Sequence, residues 1–110
     1  MERIYNKLVR DEIPGIIEKN GEKAVIRILD HNEYKRELEK KLFEEYEEVL
    51  KAKIREDRIE ELADMLEVIS ALLKIEKSTI EECIEKALTK RDVRGGFDKR
   101  IYLEKVIDCE

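Results

Sequence analysis

Apolar residues recur at three- and four-residue steps along much of this chain, the spacing of helices that turn one face away from water. From Asn32 to about Lys53 the row runs Tyr34, Leu38, Leu42, Val49 and Ala52, with Asp30 or Asn32 available as a cap, which predicts a first long helix. Ile54 to Arg58 reads as a connection, and Ile59 to about Ile75 as a second long helix. So short a link predicts that the two pack antiparallel. A shorter helix should begin near Pro14, which suits a first turn, and stop at Asn20-Gly21. Another should run from about Thr79 to Arg91, behind a capping box of Ser78 and Glu81, with Gly95-Gly96 breaking the pattern. Ala24 to Leu29 is rich in β-branched residues and reads as a strand, able to pair with an extended tail carrying Ile101, Leu103 and Val106.

The expected fold is therefore mainly α: an antiparallel helical bundle of two long and two shorter helices with a small two-stranded β element. Its 110 residues fit one domain, 1–110. With 42% hydrophobic and 46% charged residues the chain should form a globule, withdrawing roughly 65% of its unfolded surface from water. No apolar run approaches the ~20 residues of a membrane helix, and the start, MERIYNKLVR, lacks the marks of a signal peptide, so a cytoplasmic protein without a membrane partner is expected. The net charge of -5, with both signs mixed, argues against a nucleic-acid polymer as partner but leaves room for a small phosphate-bearing ligand. Cys83 and Cys109 lack zinc-ligand spacing and read as a buried helix thiol and a tail thiol. The absence of Gln, beside abundant Glu, Lys, Arg and Ile, is a thermophile profile.

The acids are the informative residues. In the second long helix nine of the twelve residues from Leu62 to Leu73 are apolar, and the exceptions, Asp64, Glu67 and Ser70, follow Glu61 at steps of three. An almost wholly apolar helix is a buried one, so these charges enter or border the core. Burying a carboxylate costs several kcal/mol, roughly, unless it is paired, protonated or metal-bound. In the first long helix Glu45 fills a gap in the apolar stripe, with Glu48 one turn on; neither has a lysine four residues later, whereas Glu47 has Lys51 and reads as a surface residue. Two antiparallel acidic rows can close a cage of oxygen ligands, which suits Mg²⁺. The competing expectation is an ordinary charged face with Asp64 in a buried ion pair to Lys or Arg.

Glu44, Glu45 and Glu48 form E-E-x-x-E, followed after twelve residues by the E-L-A-D of Glu61 and Asp64. This combination resembles the metal motif of the all-α nucleoside triphosphate pyrophosphohydrolases, the MazG-like superfamily, which includes phosphoribosyl-ATP pyrophosphohydrolase, dimeric dUTPase and dCTP pyrophosphatase. The flanks YNKLVRDEIPGIIEKNG and RGGFDKRIYLE resemble a short, single-domain branch described as predicted house-cleaning pyrophosphatases. The resemblance covers nearly the whole chain. It implies that Glu45, Glu48, Glu61 and Asp64 ligate Mg²⁺, for which Mn²⁺ can substitute, that Glu44 adjoins the site, and that the protein is a homodimer or homotetramer with the site near an interface. The chain lacks the fuller set of features expected of phosphoribosyl-ATP pyrophosphohydrolase, which leaves the substrate open.

The implied reaction hydrolyses a nucleoside triphosphate to the monophosphate and pyrophosphate, with Glu44 or Glu48 taking the proton of the attacking water. The triphosphate calls for cations, and Lys7, Arg10, Lys90, Arg91 and Arg94 are the candidates, with Gly95-Gly96 allowing close backbone approach. Tyr34, Tyr46 and Phe97 are aromatic enough to stack on a base, although packing roles suit each of them; His31 reads as a surface or capping residue. The rival readings are hydrolysis of phosphoribosyl-ATP by the same chemistry, and a non-catalytic helical module whose acids only bind a cation.

Overall fold

Helix starts and stops in this chain follow local chemistry closely. The computed structural model describes residues 1–109 and contains four helices. α1 (Ile13–Lys19) carries Pro14 in its first turn, where a missing N–H costs nothing. α2 (His31–Lys51) is capped by Asp30, whose Oδ1 accepts the Glu33 N–H at 2.9 Å. α3 (Arg55–Ile75) begins four residues earlier than the apolar pattern suggests, with Glu56 and Asp57 in its first turn, where acids favour a helix N-terminus. Lys77 ends that run in the left-handed region (φ 58), the Ser78 N–H reaching back to the Leu73 carbonyl at 2.9 Å.

α4 (Ile80–Arg94) is capped by Thr79, whose Oγ1 accepts the Glu82 N–H at 3.1 Å. The capping box was expected one residue earlier, at Ser78 and Glu81. Both pairs satisfy the same pattern, and the neighbouring Lys77 turn decides between them. α4 also outlasts its expected end at Arg91 by three residues, because nothing interrupts it before Gly95.

The two-stranded β element is absent among the described residues. Residues 22–30 and 101–109 contain no regular structure. Their β-branched composition favours extended backbone, but a lone pair of strands is marginal in water and here neither has a ladder partner. Arg27 instead ties the first of these segments to α2, through Glu33 at 2.9 Å.

α2 and α3 form the antiparallel hairpin that organises the molecule, and α4 packs more lightly on α3. Arg58 locks the turn, its Nη1 donating to the Val49 carbonyl at 2.8 Å in the last turn of α2, where carbonyls lack helical partners. The connection is only Ala52 to Ile54, so residues equidistant from Lys53 tend to face one another. Leu38 and Val68, both buried, stand in that relation, and Val49 completes the buried set.

The expected globule is not what forms. The radius of gyration is 19.3 Å over an envelope of 70 × 35 × 23 Å, against about 13 Å for a compact chain of this length. The accessible surface is 10645 Å², whereas a compact monomer of 13.1 kDa would expose roughly 6,400 Å². Much of the apolar material lies uncovered: Ile59, Leu62 and Leu66 on α3, Phe43, Tyr46 and Leu50 on α2, and the tail from Ile101 to Ile107. Of the apolar stretch at residues 62–73 of α3, only Val68 is fully buried. No helix is long and apolar enough to cross a membrane among the described residues.

Candidate metal and phosphate site

The hairpin register brings the acids together. Glu45 and Glu61 each lie eight residues from Lys53, so they meet across the two helices, and Asp64 lies one turn beyond Glu61 on the same side. One carboxylate oxygen from each of Glu45, Glu61 and Asp64 falls within 4.8 Å of the other two, and all three residues are partly buried. Glu67, next in the α3 row, is exposed: steps of three rotate by about 60° each around a helix, enough to carry it out of the groove.

The electrostatics follow from this crowding. Burial pushes the Glu45 carboxyl above its ordinary pKa, the charge of Asp64 adds to the rise, and Lys41 partly offsets it. Glu61 is raised as well, by loss of water first and then by Asp64 and Glu45. Glu48 contributes to both shifts and Glu44 to that of Glu45. The site therefore holds more negative charge than its own cations neutralise.

Glu48 and Glu44 stand at the rim. Glu48 is exposed and pairs with Lys51 at 3.8 Å; Glu44 pairs with Lys41 at 3.8 Å. Lys51 thus serves Glu48 rather than Glu47, through a three-residue step that sequence reasoning did not weigh. Lys41, three residues before Glu44 and four before Glu45, is the site cation it missed; the same inspection of spacings would have found it.

One expected phosphate contact is found against the acids instead. Arg10, in the segment before α1, donates from Nη2 to Asp64 Oδ1 at 2.8 Å. Both side chains are about half exposed, so this is a solvent-accessible ion pair, not the buried one considered from sequence. Exposed pairs of this kind contribute about 0–1 kcal/mol. Compared with known proteins, the chain matches no family model, no curated protein and no solved structure.

The remaining cations are elsewhere. Lys90, Arg91 and Arg94 line a cavity of about 680 Å³ at the end of α4, with Ala87, Gly95, Gly96, Phe97 and Asp98. Its lining includes none of the clustered acids. Lys7 is exposed, with no acid within ion-pair distance among the described residues. Tyr34 is partly buried on α2, the exposed Phe43 and Tyr46 meet in a tilted pair with ring centroids 6.1 Å apart, and Phe97 is almost fully exposed. Cys83 is partly buried and Cys109 exposed, both as free thiols, and His31 is an exposed first residue of α2.

Proposed function

We propose that this protein is a Mg²⁺-dependent nucleoside triphosphate pyrophosphohydrolase, releasing a nucleoside monophosphate and pyrophosphate from a non-standard nucleotide in a house-cleaning role. The observation that carries the reading is the convergence of Glu45, Glu61 and Asp64 from two helices. Three carboxylates drawn together and partly desolvated, against one guanidinium on their own side of the groove, raise the pKa of two of them; an oxygen-seeking divalent cation is the partner that relieves this strain. The donor set fits such an ion: all oxygen, all anionic, with water-accessible edges that leave coordination positions free.

Glu45, Glu61 and Asp64 would hold the cation, with Glu48 as a fourth ligand from the rim. Bound there, Mg²⁺ supplies charge neutralisation for the phosphate oxygens and a lowered pKa for attacking water. Glu44 and Glu48 are the candidates for taking that water's proton, since both stand beside the three clustered acids. Arg10 spends one of its five donors on Asp64, and the others can hold a phosphate oxygen brought to the acids.

The active assembly is a homodimer or homotetramer in this reading. Its support is the exposed apolar side chains of the hairpin: Ile59, Leu62 and Leu66 on α3, and Phe43, Tyr46 and Leu50 on α2. A second reading has one observation in its favour. The Arg10–Asp64 pair is what a non-catalytic module would use to balance its acids. A panel of standard and modified nucleoside triphosphates, assayed for pyrophosphate with and without Mg²⁺, separates the two; phosphoribosyl-ATP belongs on the panel. Metal-dependent pyrophosphate release from any member sustains the enzyme, and silence across the panel leaves the module.

A further inference from the structure

The open hollow at the end of α4 has no role in holding the cluster of acids, yet it brings three cations together beside a single acid, Asp98. Lys90, Arg91 and Arg94 line it together, and none has a carboxylate within ion-pair distance among the described residues. Most basic residues among those described share that lack, so it is the convergence of these three that counts. Basic residues in a last helical turn ordinarily complement the helix dipole, an effect of about 0.3–1 kcal/mol. Such a role explains cations near a helix end. It does not explain their convergence on one cavity.

The backbone of the turn adds donors. Gly95 leaves the helix at φ 82, its N–H donating to the Arg91 carbonyl at 2.8 Å. The next two N–H groups, of Gly96 and Phe97, have no backbone or side-chain acceptor among the described residues. Arg91 lies against Gly96 so closely that a Cβ there would stand 3.4 Å from Nε and 3.6 Å from Nη2. The Arg91 guanidinium thus rests beside the turn's backbone donors. Guanidinium forks beside free N–H groups are a means by which proteins hold phosphate oxygens.

We infer that the α4 end and its Arg94-Gly95-Gly96-Phe97 turn form a seat for a condensed phosphate, engaged by Lys90, Arg91, Arg94 and the turn's N–H groups without need of a divalent cation. The ligand class, a di- or triphosphate free or as the tail of a nucleotide, rests in part on the hydrolase reading; the seat itself rests on the cavity. A volume of about 680 Å³ accommodates either source, since small-molecule sites run roughly 300–1,000 Å³. Phe97, exposed on the same cavity, offers a face to a base.

The test is calorimetric titration of the full chain with inorganic pyrophosphate in EDTA. Binding is expected in the parent, at least tenfold weaker in Arg91→Ala/Arg94→Ala, and unchanged in Lys51→Ala. No metal-free binding by the parent, or undiminished binding in the double variant, overturns the seat. A second titration with ATP distinguishes the sources: an affinity above that for pyrophosphate and lost in Phe97→Ala marks a nucleotide tail, and equal affinities mark the free anion. Because the titration excludes metal, its failure leaves metal-dependent hydrolysis standing, and failure of hydrolysis leaves the seat.

Discussion

The two charged regions of this protein are built on opposite plans. At the α2–α3 hairpin, side chains remote in sequence are forced together by helix packing, and like charges gather despite their repulsion. At the end of α4, the cations are neighbours in sequence, and one helical turn with two glycines is enough to bring them to a common cavity. The first arrangement exists only while the hairpin is packed. The second is local, and it depends little on the rest of the fold. A ligand for the acids should therefore stabilise the protein as a whole, whereas a ligand for the cations should chiefly order the turn that holds it.

The sharpest way to break the contrast is to remove charge from the acids without changing their shape. Asp64→Asn or Glu61→Gln should lower pyrophosphate release by at least roughly a hundredfold at saturating Mg²⁺, with the helical circular dichroism retained. Near-normal turnover in either variant would dissolve the metal assignment.

Thermal melts probe the same acids without substrate. Mg²⁺ should raise the Tm, by the equivalent of about 2.7 kcal/mol at a hundredfold excess over Kd, and EDTA should reverse the gain. The pH dependence has a definite sign. Glu45 and Glu61 have folded-state pKa values above the ordinary glutamate value, so between the two values the folded chain holds more protons than the unfolded one. In metal-free protein their ionisation is therefore a cost at neutral pH that fades as the pH falls through the raised values towards about 4.3. The Mg²⁺ gain should shrink over that window, because protons compete for the same oxygens. A Tm indifferent to Mg²⁺ at neutral pH would favour acids balanced by Arg10 alone.

A smaller effect is expected at the other region. Arg94→Ala should weaken triphosphate turnover about tenfold, equivalent to about 1.4 kcal/mol, while Lys51→Ala, which loses only an exposed pair with Glu48, should change it little. Equal and small effects would take the α4 end out of catalysis. The smallest expected change is a gain: Glu45→Gln in metal-free protein at neutral pH should raise the Tm slightly, by relieving repulsion from Asp64 and Glu48, and abolish the response to Mg²⁺. A fall in Tm would mean that the Glu45 carboxylate makes a favourable contact worth more than that repulsion.

The helices were legible because each is specified by its own residues. Pro14, Asp30, Thr79 and Gly95 mark ends by chemistry that acts within one turn, and the three- and four-residue apolar steps mark what lies between. The acids of the candidate site were legible for a related reason: a two-helix hairpin with a short link converts sequence spacing into facing positions, so Glu45, Glu61 and Asp64 can be paired on paper. What spacing did not reveal was tertiary. The contact of Arg10 with Asp64 spans 54 residues and has no periodic signature. The withdrawal of Glu48 to the rim depends on how far the helices rotate in packing, and the unpaired state of residues 22–30 and 101–109 depends on whether two distant extended segments meet. Propensity says what a segment can do alone, and a strand can do nothing alone. The sequence by itself determined the helices and the facing acids, because those are set by neighbours along the chain; only the tertiary structure decided which charges are paired, which apolar faces stay open and whether strands form, because those depend on partners that arrive from far away.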